Sequence, residues 1–217
     1  FDRARGLLTI GAAQPPETRR FMMAHQLALL AFSAQIAEVA AAARLRAAEA
    51  RPLLSVGLAN YAAGALLMPY RRFRDTARAM RHDIDRLCQR FGVSFEQACH
   101  RLTTLQRPSA RGVPFFMLRI DAAGNVSKRF TSIAFPFARL GGACQRWNIH
   151  AAFRTPGQIV TQVIQTADGA RYFTLARTVE RPLRPHGFEG ADLAVGMGCE
   201  IKYAPRLVYA KGMNLER

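Results

Sequence analysis

Pro108-Ser-Ala-Arg-Gly-Val-Pro-Phe-Phe-Met-Leu-Arg-Ile-Asp121 is where the chain changes its hydrophobic period. Before it, apolar residues recur every three or four positions, as on one face of a helix. After the Pro-Ser-Ala-Arg-Gly turn come short runs with strand character, bounded by turn residues. Residues 113–121 and 126–131 read as strands joined by Ala122-Ala-Gly-Asn125. Residues 158–167 and 170–179 read as a second hairpin around Asp168-Gly169, a strong short hairpin signal. Residues 191–201 read as a further strand, and 181–190, with its breakers and His186, as a loop. The expected fold class is α+β: a helical half over 1–107 and a mainly antiparallel β half over 108–217.

Working back from the turn, four helices are expected. Residues 1–19 read as a linker or edge segment, with Thr18 as N-cap of a helix over 19–50 that Pro52 ends. A second helix spans 56–68 and stops at Pro69. Its small residues Gly57, Ala59, Ala62, Ala63 and Gly64 allow close approach of a backbone or ligand. A third, over 72–91, carries Phe73, Ala77, Met80, Ile84, Leu87 and Phe91 on one face and five arginines on the other. Gly92-Val-Ser94 turns the chain, with Ser94 as N-cap of a fourth helix over 94–105. The last two helices have the outline of a helix–turn–helix. However, Phe95, Ala98, Leu102 and Leu105 give the final helix a buried stripe that leaves little to read bases.

The chain has 217 residues, half of them hydrophobic, enough for a sizeable core. No apolar run reaches the ~18 residues of a membrane helix, and no secretory signal is present, so a reducing, cytoplasmic setting is expected. The chain opens on Phe1-Asp2-Arg3 without an initiator Met, which reads as a fragment of a longer protein. The net charge is +16, from 31 Lys+Arg against 15 Asp+Glu, and only three of the basic residues are lysines. Arginine binds phosphate in a bidentate way that lysine cannot, so nucleic acid or a ligand with several phosphates is indicated. A solvated basic surface is the plainer alternative.

Candidate chemistry sits in three places. Arg20-Phe-Met-Met-Ala-His-Gln-Leu-Ala-Leu29 has the first His of a zinc-peptidase helix. That chemistry needs His-Glu-x-x-His, and here Gln26 replaces the base and Leu29 the second ligand, so no peptidase activity is expected. Arg19 and Arg20 lie in a first helical turn, where cations oppose the helix dipole and an anion would relieve them. Cys144-Gln-Arg-Trp-Asn-Ile-His-Ala-Ala-Phe-Arg-Thr-Pro-Gly157 concentrates large and reactive side chains, including the single Trp, in the manner of a site or an interface. The four cysteines, Cys88, Cys99, Cys144 and Cys199, form no Cys-x-x-Cys pair. Spacing leaves two readings open: four buried thiols, or one four-thiolate site of iron–sulfur type. Gly196 and Gly198 beside Cys199 allow close backbone approach of a ligand or cluster.

Two sets of motifs resemble a known family. Arg20-Phe-Met-Met-Ala-His-Gln-Leu-Ala28 with Ala59-Asn-Tyr-Ala-Ala-Gly-Ala-Leu-Leu-Met-Pro69 resembles the paired helices of the metallopeptidase-like domain of phage-repressor-cleaving proteins. Phe91-Gly-Val-Ser-Phe-Glu-Gln-Ala-Cys-His-Arg-Leu102, Gly141-Gly-Ala-Cys-Gln-Arg-Trp-Asn-Ile-His150, Phe153-Arg-Thr-Pro-Gly157 and Ala194-Val-Gly-Met-Gly-Cys199 are similar to the sensor part of bacterial short-chain fatty-acyl-CoA-responsive transcription regulators. These are of the methylcitrate-cycle, or propionate, type. The resemblance covers nearly the whole chain. It implies a non-enzymatic sensor that binds CoA or a short acyl-CoA such as propionyl-CoA. It also implies a [4Fe-4S] cluster on Cys88, Cys99, Cys144 and Cys199, a homo-oligomer (dimer or tetramer), and promoter DNA bound through a helix–turn–helix domain outside this chain. Under that resemblance the emptied peptidase cleft, between the helix of His25 and that of Tyr61, is the expected ligand site. Arg19, Arg20 and Arg71 would clamp phosphates, and Tyr61 and Tyr70 would supply hydroxyls or stack on adenine. Trp147, Phe153, His25 and His150 are expected in the core.

Overall fold

Pro16 opens the first helix, where a proline's missing N–H is no loss because no carbonyl precedes it. In the computed structural model, which describes residues 1–45, 47, 49–133, 135, 147–179 and 192–215, α1 runs Pro16–Ala31 and α2 Ser33–Ala42. The expected helix over 19–50 is therefore two helices that break at Phe32. Thr18 lies inside α1 and caps nothing, since the cap position is Pro15. Pro52 ends no helix either, because α3, Ala50–Leu67, carries it in the first turn, where proline is tolerated. α1 packs on α3 through Ala24 and Ala28 against Ala59 and Ala63, all buried. Small residues on both sides let the two backbones approach closely.

The amphipathic helix expected over 72–91 is also two pieces, α4 at Tyr70–Ala79 and α5 at Ile84–Phe91. Between them the His82 N–H bonds the Ala77 carbonyl at 2.7 Å and the Arg81 N–H that of Arg78 at 3.1 Å. This is a Schellman ending, with Arg81 (φ 49°) and His82 (φ 59°) both left-handed. No glycine announces the corner, which is why periodicity ran straight through it. The core face is nonetheless as expected: Phe73, Ala77, Ile84 and Leu87 are fully buried. Gly92 (φ 62°) closes α5, and Ser94 caps α6, Phe95–Thr103, in a reciprocal capping box with Gln97. Six of the nine residues of α6 are buried, so this helix is not free to enter a DNA groove.

Among the described residues five antiparallel strands follow: β1 Phe116–Asp121, β2 Val126–Thr131, β3 Val160–Gln165, β4 Arg171–Val179 and β5 Leu193–Glu200. Their order is β2-β1-β5-β4-β3. The α+β architecture expected from the sequence is what is found. Both hairpins fall at the expected turns. Alternation divides the sheet cleanly between two cores. Met117, Phe173, Leu175, Val195, Met197 and Cys199 face α4–α6. Phe116, Leu118, Ile120, Tyr172 and Ala176 face the other way, onto Trp147, Ile149 and Ala152 around the short helix α7, Asn148–Ala151. The expected division at 107/108 lies within the first of these cores, which runs continuously from Met68 to Ala210.

Gly196 and Gly198 serve this packing and not a ligand. A Cβ at Gly196 would stand 2.8 Å from Ile149 Cδ1, and one at Gly198 2.5 Å from Phe116 Cζ. Trp147 is core, as expected, and Phe153 is half-buried against the same cluster. His25 and His150 are half-buried. Cys144 and His186 lie outside the described residues.

Candidate functional site

Between the start of α1, α3, α6 and the sheet lies a cavity of about 790 Å³. That volume falls within the roughly 300–1,000 Å³ of small-molecule sites. Its walls are the start of α1 (Glu17, Thr18, Phe21), one face of α3 (Gly57, Asn60, Tyr61, Gly64), α6 with its leading turn, and sheet residues Arg119, Lys128, Phe130, Arg177 and Val179. Gly64 is buried, yet a Cβ there would meet nothing within 4 Å. The small residues of α3 thus serve two contacts: alanines toward α1, and Gly57 and Gly64 toward open space.

The charged lining consists of four cations, Arg101, Arg119, Lys128 and Arg177, against Glu17 and Glu96. Glu96 accepts from Arg119 Nη1 at 3.0 and 3.1 Å and from Lys128 Nζ at 2.6 Å. Burial pushes its carboxyl up, but Lys128 and Arg119 together outweigh that and hold it below the ordinary glutamate value. Arg177 pairs with Asp85 at 2.6 Å and lies 3.9 Å from the centre of the Phe95 ring. His100, beside the Phe130 ring, is pushed down to about 4, first by burial and then by Lys128, so it is neutral at pH 7.

Arg101 is the unusual member, because it is 3% exposed and, among the described residues, pairs with no carboxylate. Its Nε donates to the Met68 carbonyl at 2.9 Å and its Nη1 to Thr104 Oγ1 at 3.2 Å. The rings of Tyr61 and Tyr70 stand 5.7 and 5.8 Å away. Burial lowers its pKa, against the opposing pull of Tyr61. Arginine stays protonated all the same. A buried charge is costly to hold without a counter-charge, and neutral carbonyl and hydroxyl contacts supply only part of one.

Of the residues expected to hold the ligand, only Tyr61 lines this cavity, and it is 42% exposed. Arg19 and Arg71 are exposed and outside the lining. Arg20 donates to the Gly92 carbonyl at 2.7 Å and so ties α1 to the α5–α6 turn. Tyr70 is buried, its hydroxyl donating to the Ala110 carbonyl at 3.1 Å and accepting from the Arg107 N–H at 2.9 Å. The cavity is lined by Glu17, Thr18 and Phe21 of α1 and by Gly57, Asn60, Tyr61 and Gly64 of α3, and His25 is not part of its lining. The cations that do line it come from α6 and three strands. The available signal was the placement of single charges in apolar settings. Arg119 interrupts Phe-Phe-Met-Leu-Arg-Ile, and Arg101 sits three residues after Ala98 on the buried side of α6.

Burial pulls the His25 imidazole below its ordinary pKa, and among the described residues it belongs to no group of three or more metal-ligating side chains. Cys99 and Cys199 are buried and Cys88 is half-buried in the cavity wall. Burial pushes the thiols of Cys88 and Cys199 up to about 12 and raises that of Cys99 well above the ordinary value, with Cys88 as a further cause. Cys88 and Cys99 are thus near enough to repel as thiolates. Among the described residues no three His, Cys, Asp or Glu side chains converge as metal ligands.

The geometry defines an α+β module in which a helical layer closes a basic cavity over an antiparallel sheet. Residues 104–217 match the C-terminal model of the short-chain fatty acyl coenzyme A regulators, and residues 1–103 match the IrrE N-terminal-like domain. The chain belongs to the short-chain fatty acyl coenzyme A regulator family. It is 47% identical over 215 residues to a propionyl-CoA carboxylase regulator of Cereibacter sphaeroides, covering 99% of this chain and 47% of that protein. It is 47% identical over 205 residues to the HTH-type transcriptional regulator PrpR of Mycobacterium tuberculosis, covering 93% of this chain and 41% of that one. A solved Mycobacterium tuberculosis transcriptional regulator superposes with a TM-score of 0.91 at 45% identity, over 96% of this chain and 63% of that chain. The chain spans less than half the length of the two named regulators. Among the described residues no single helix is long and apolar enough to cross a membrane.

Proposed function

We propose that this chain is the sensor portion of a cytoplasmic transcription regulator of short-chain acyl-CoA and propionate metabolism, and that CoA or a short acyl-CoA such as propionyl-CoA binds in the 790 Å³ cavity. The observation that carries this reading is Arg101, a buried guanidinium with no carboxylate partner among the described residues, facing an open space. A polyphosphate ligand supplies the counter-charge. Arg119 and Lys128, held by Glu96, stand ready to contact further phosphate oxygens. Phe21, Met68, Phe130 and Val179 give the same cavity apolar surface for a pantetheine arm and a short acyl tail. The regulator names of the relatives support the DNA-linked role, exerted through parts of the protein outside this chain and through a homo-oligomer. Ligand binding shifts such an assembly only by its difference in affinity between the two states.

Calorimetry with propionyl-CoA tests the site. The double variant Arg119→Gln/Lys128→Gln should bind at least about tenfold more weakly, a loss of ~1.4 kcal/mol, with a shallower salt dependence. Unchanged affinity would remove both residues from the site. The [4Fe-4S] cluster on Cys88, Cys99, Cys144 and Cys199 is carried as a separate proposal that rests on the family resemblance. Iron and acid-labile sulfide in anaerobically purified protein test it, and their absence leaves the acyl-CoA reading standing.

A further inference from the structure

A second recess, of about 430 Å³, is lined by Arg78, Arg81, His82, Val113 and Arg206 and shares no residue with the first. From three arginines lining one concavity with no acidic residue in its lining, we infer that this recess is a separate binding site for a small phosphate monoester.

Like charges gathered at one place repel, and proteins ordinarily balance them with acids. Here none of the three arginines pairs with a carboxylate among the described residues. Asp83, the nearest acid in sequence, caps α5 by accepting from the Arg86 N–H at 3.1 Å. The contacts the arginines do make are neutral. Arg78 Nη2 donates to the Arg111 carbonyl at 3.1 Å and Arg81 Nη2 to that of Pro205 at 3.1 Å. The Arg206 guanidinium lies 5.2 Å from the centre of the Tyr203 ring, and the backbone of the same residue hydrogen-bonds the His82 imidazole. Each guanidinium has five N–H donors, so most remain open toward a ligand.

The backbone adds a second argument. Arg81 occupies the left-handed position of a helix ending that glycine usually fills, and His82 follows it with φ 59°. Two consecutive side-chain-bearing residues accept a sparsely populated conformation, and both side chains line the recess. His82 is 4% exposed, and its Nδ1 has no hydrogen-bond partner. A tetrahedral phosphate dianion offers several acceptors to three forks at once, where a carboxylate would satisfy one. The volume exceeds a lone phosphate and leaves room for an organic part against Val113.

The test follows the His82 imidazole resonances by NMR while inorganic phosphate, and in parallel glycerol 1-phosphate, is added to the full chain. Saturable shifts are expected. They should weaken at least about tenfold in Arg206→Gln and in Arg78→Gln, both exposed positions, with propionyl-CoA affinity unchanged. Resonances that stay still, or that shift equally in Arg206→Gln, would overturn the site. A double-stranded DNA fragment whose binding depends on Arg206, with no response to either small phosphate, would overturn it as well and make the patch a DNA-backbone contact.

Discussion

Acid should destabilise this fold through two imidazoles, the buried His82 and the half-buried His100, before its carboxylates matter. His82 is pushed down from 6.5 to about 4 by burial, with Arg206 and Arg78 contributing. His100 is pushed down to about 4 by burial, with Lys128 and Arg101 contributing. Both folded-state values lie below the unfolded one, so between them the unfolded chain binds more protons. The associated stability is complete above pH ~6.5 and is lost as the pH falls toward 4. A shift of 2.5 units corresponds to at most ~3.4 kcal/mol per group, of which ~2 is lost between pH 7 and 5. The pair together would lose ~4 kcal/mol, a large part of the 5–15 typical of a domain. Urea unfolding followed by the fluorescence of Trp147, the single Trp, measures this at both pH values. His82→Gln/His100→Gln should flatten the dependence by most of that amount. Glu96 adds its own acid sensitivity mainly below pH 5, since its carboxyl is held below the ordinary value. Equal losses in the parent and the double variant would refute the assignment of neutral imidazoles.

Two further outcomes follow from the packing and one from the proposed cluster. Gly198→Ala places a Cβ 2.5 Å from Phe116 Cζ and 2.8 Å from the Phe173 carbonyl, and should cost about 1–3 kcal/mol in urea unfolding. Arg20→Ala removes the tie to Gly92 and should cost ~1 kcal/mol while leaving propionyl-CoA affinity unchanged; weakened binding would return Arg20 to the ligand site. Cys199→Ser should lower the iron content of anaerobically purified protein, as the proposed cluster requires, and unchanged iron would remove that thiol from the ligand set.

The β half was legible because its signals are local. Gly124-Asn125 and Asp168-Gly169 mark the hairpins, and the alternation in β1, β4 and β5 assigns each residue to a core. The helical half misled where a break carried no breaker. Phe32 and Arg81-His82 interrupt helices without Pro or Gly, whereas Pro52, a breaker by type, sits harmlessly in a first turn. The site was the least legible part. Arg101, Arg119, Lys128 and Arg177 come from α6, β1, β2 and β4, and only tertiary packing brings them to one cavity. The arginines close to the His25 and Tyr61 motifs in sequence, Arg19, Arg20 and Arg71, point elsewhere.

Gly64→Leu puts the central claim to the most direct test, because a Cβ at Gly64 meets nothing within 4 Å and the added side chain would occupy part of the cavity that this glycine lines. Removing a glycine from a helix interior should leave stability unchanged or raise it by up to ~1 kcal/mol, so lost binding could not be ascribed to unfolding. Calorimetry with propionyl-CoA is predicted to give one site per chain for the parent and none for Gly64→Leu. Equal binding by both would place the ligand elsewhere and contradict the account.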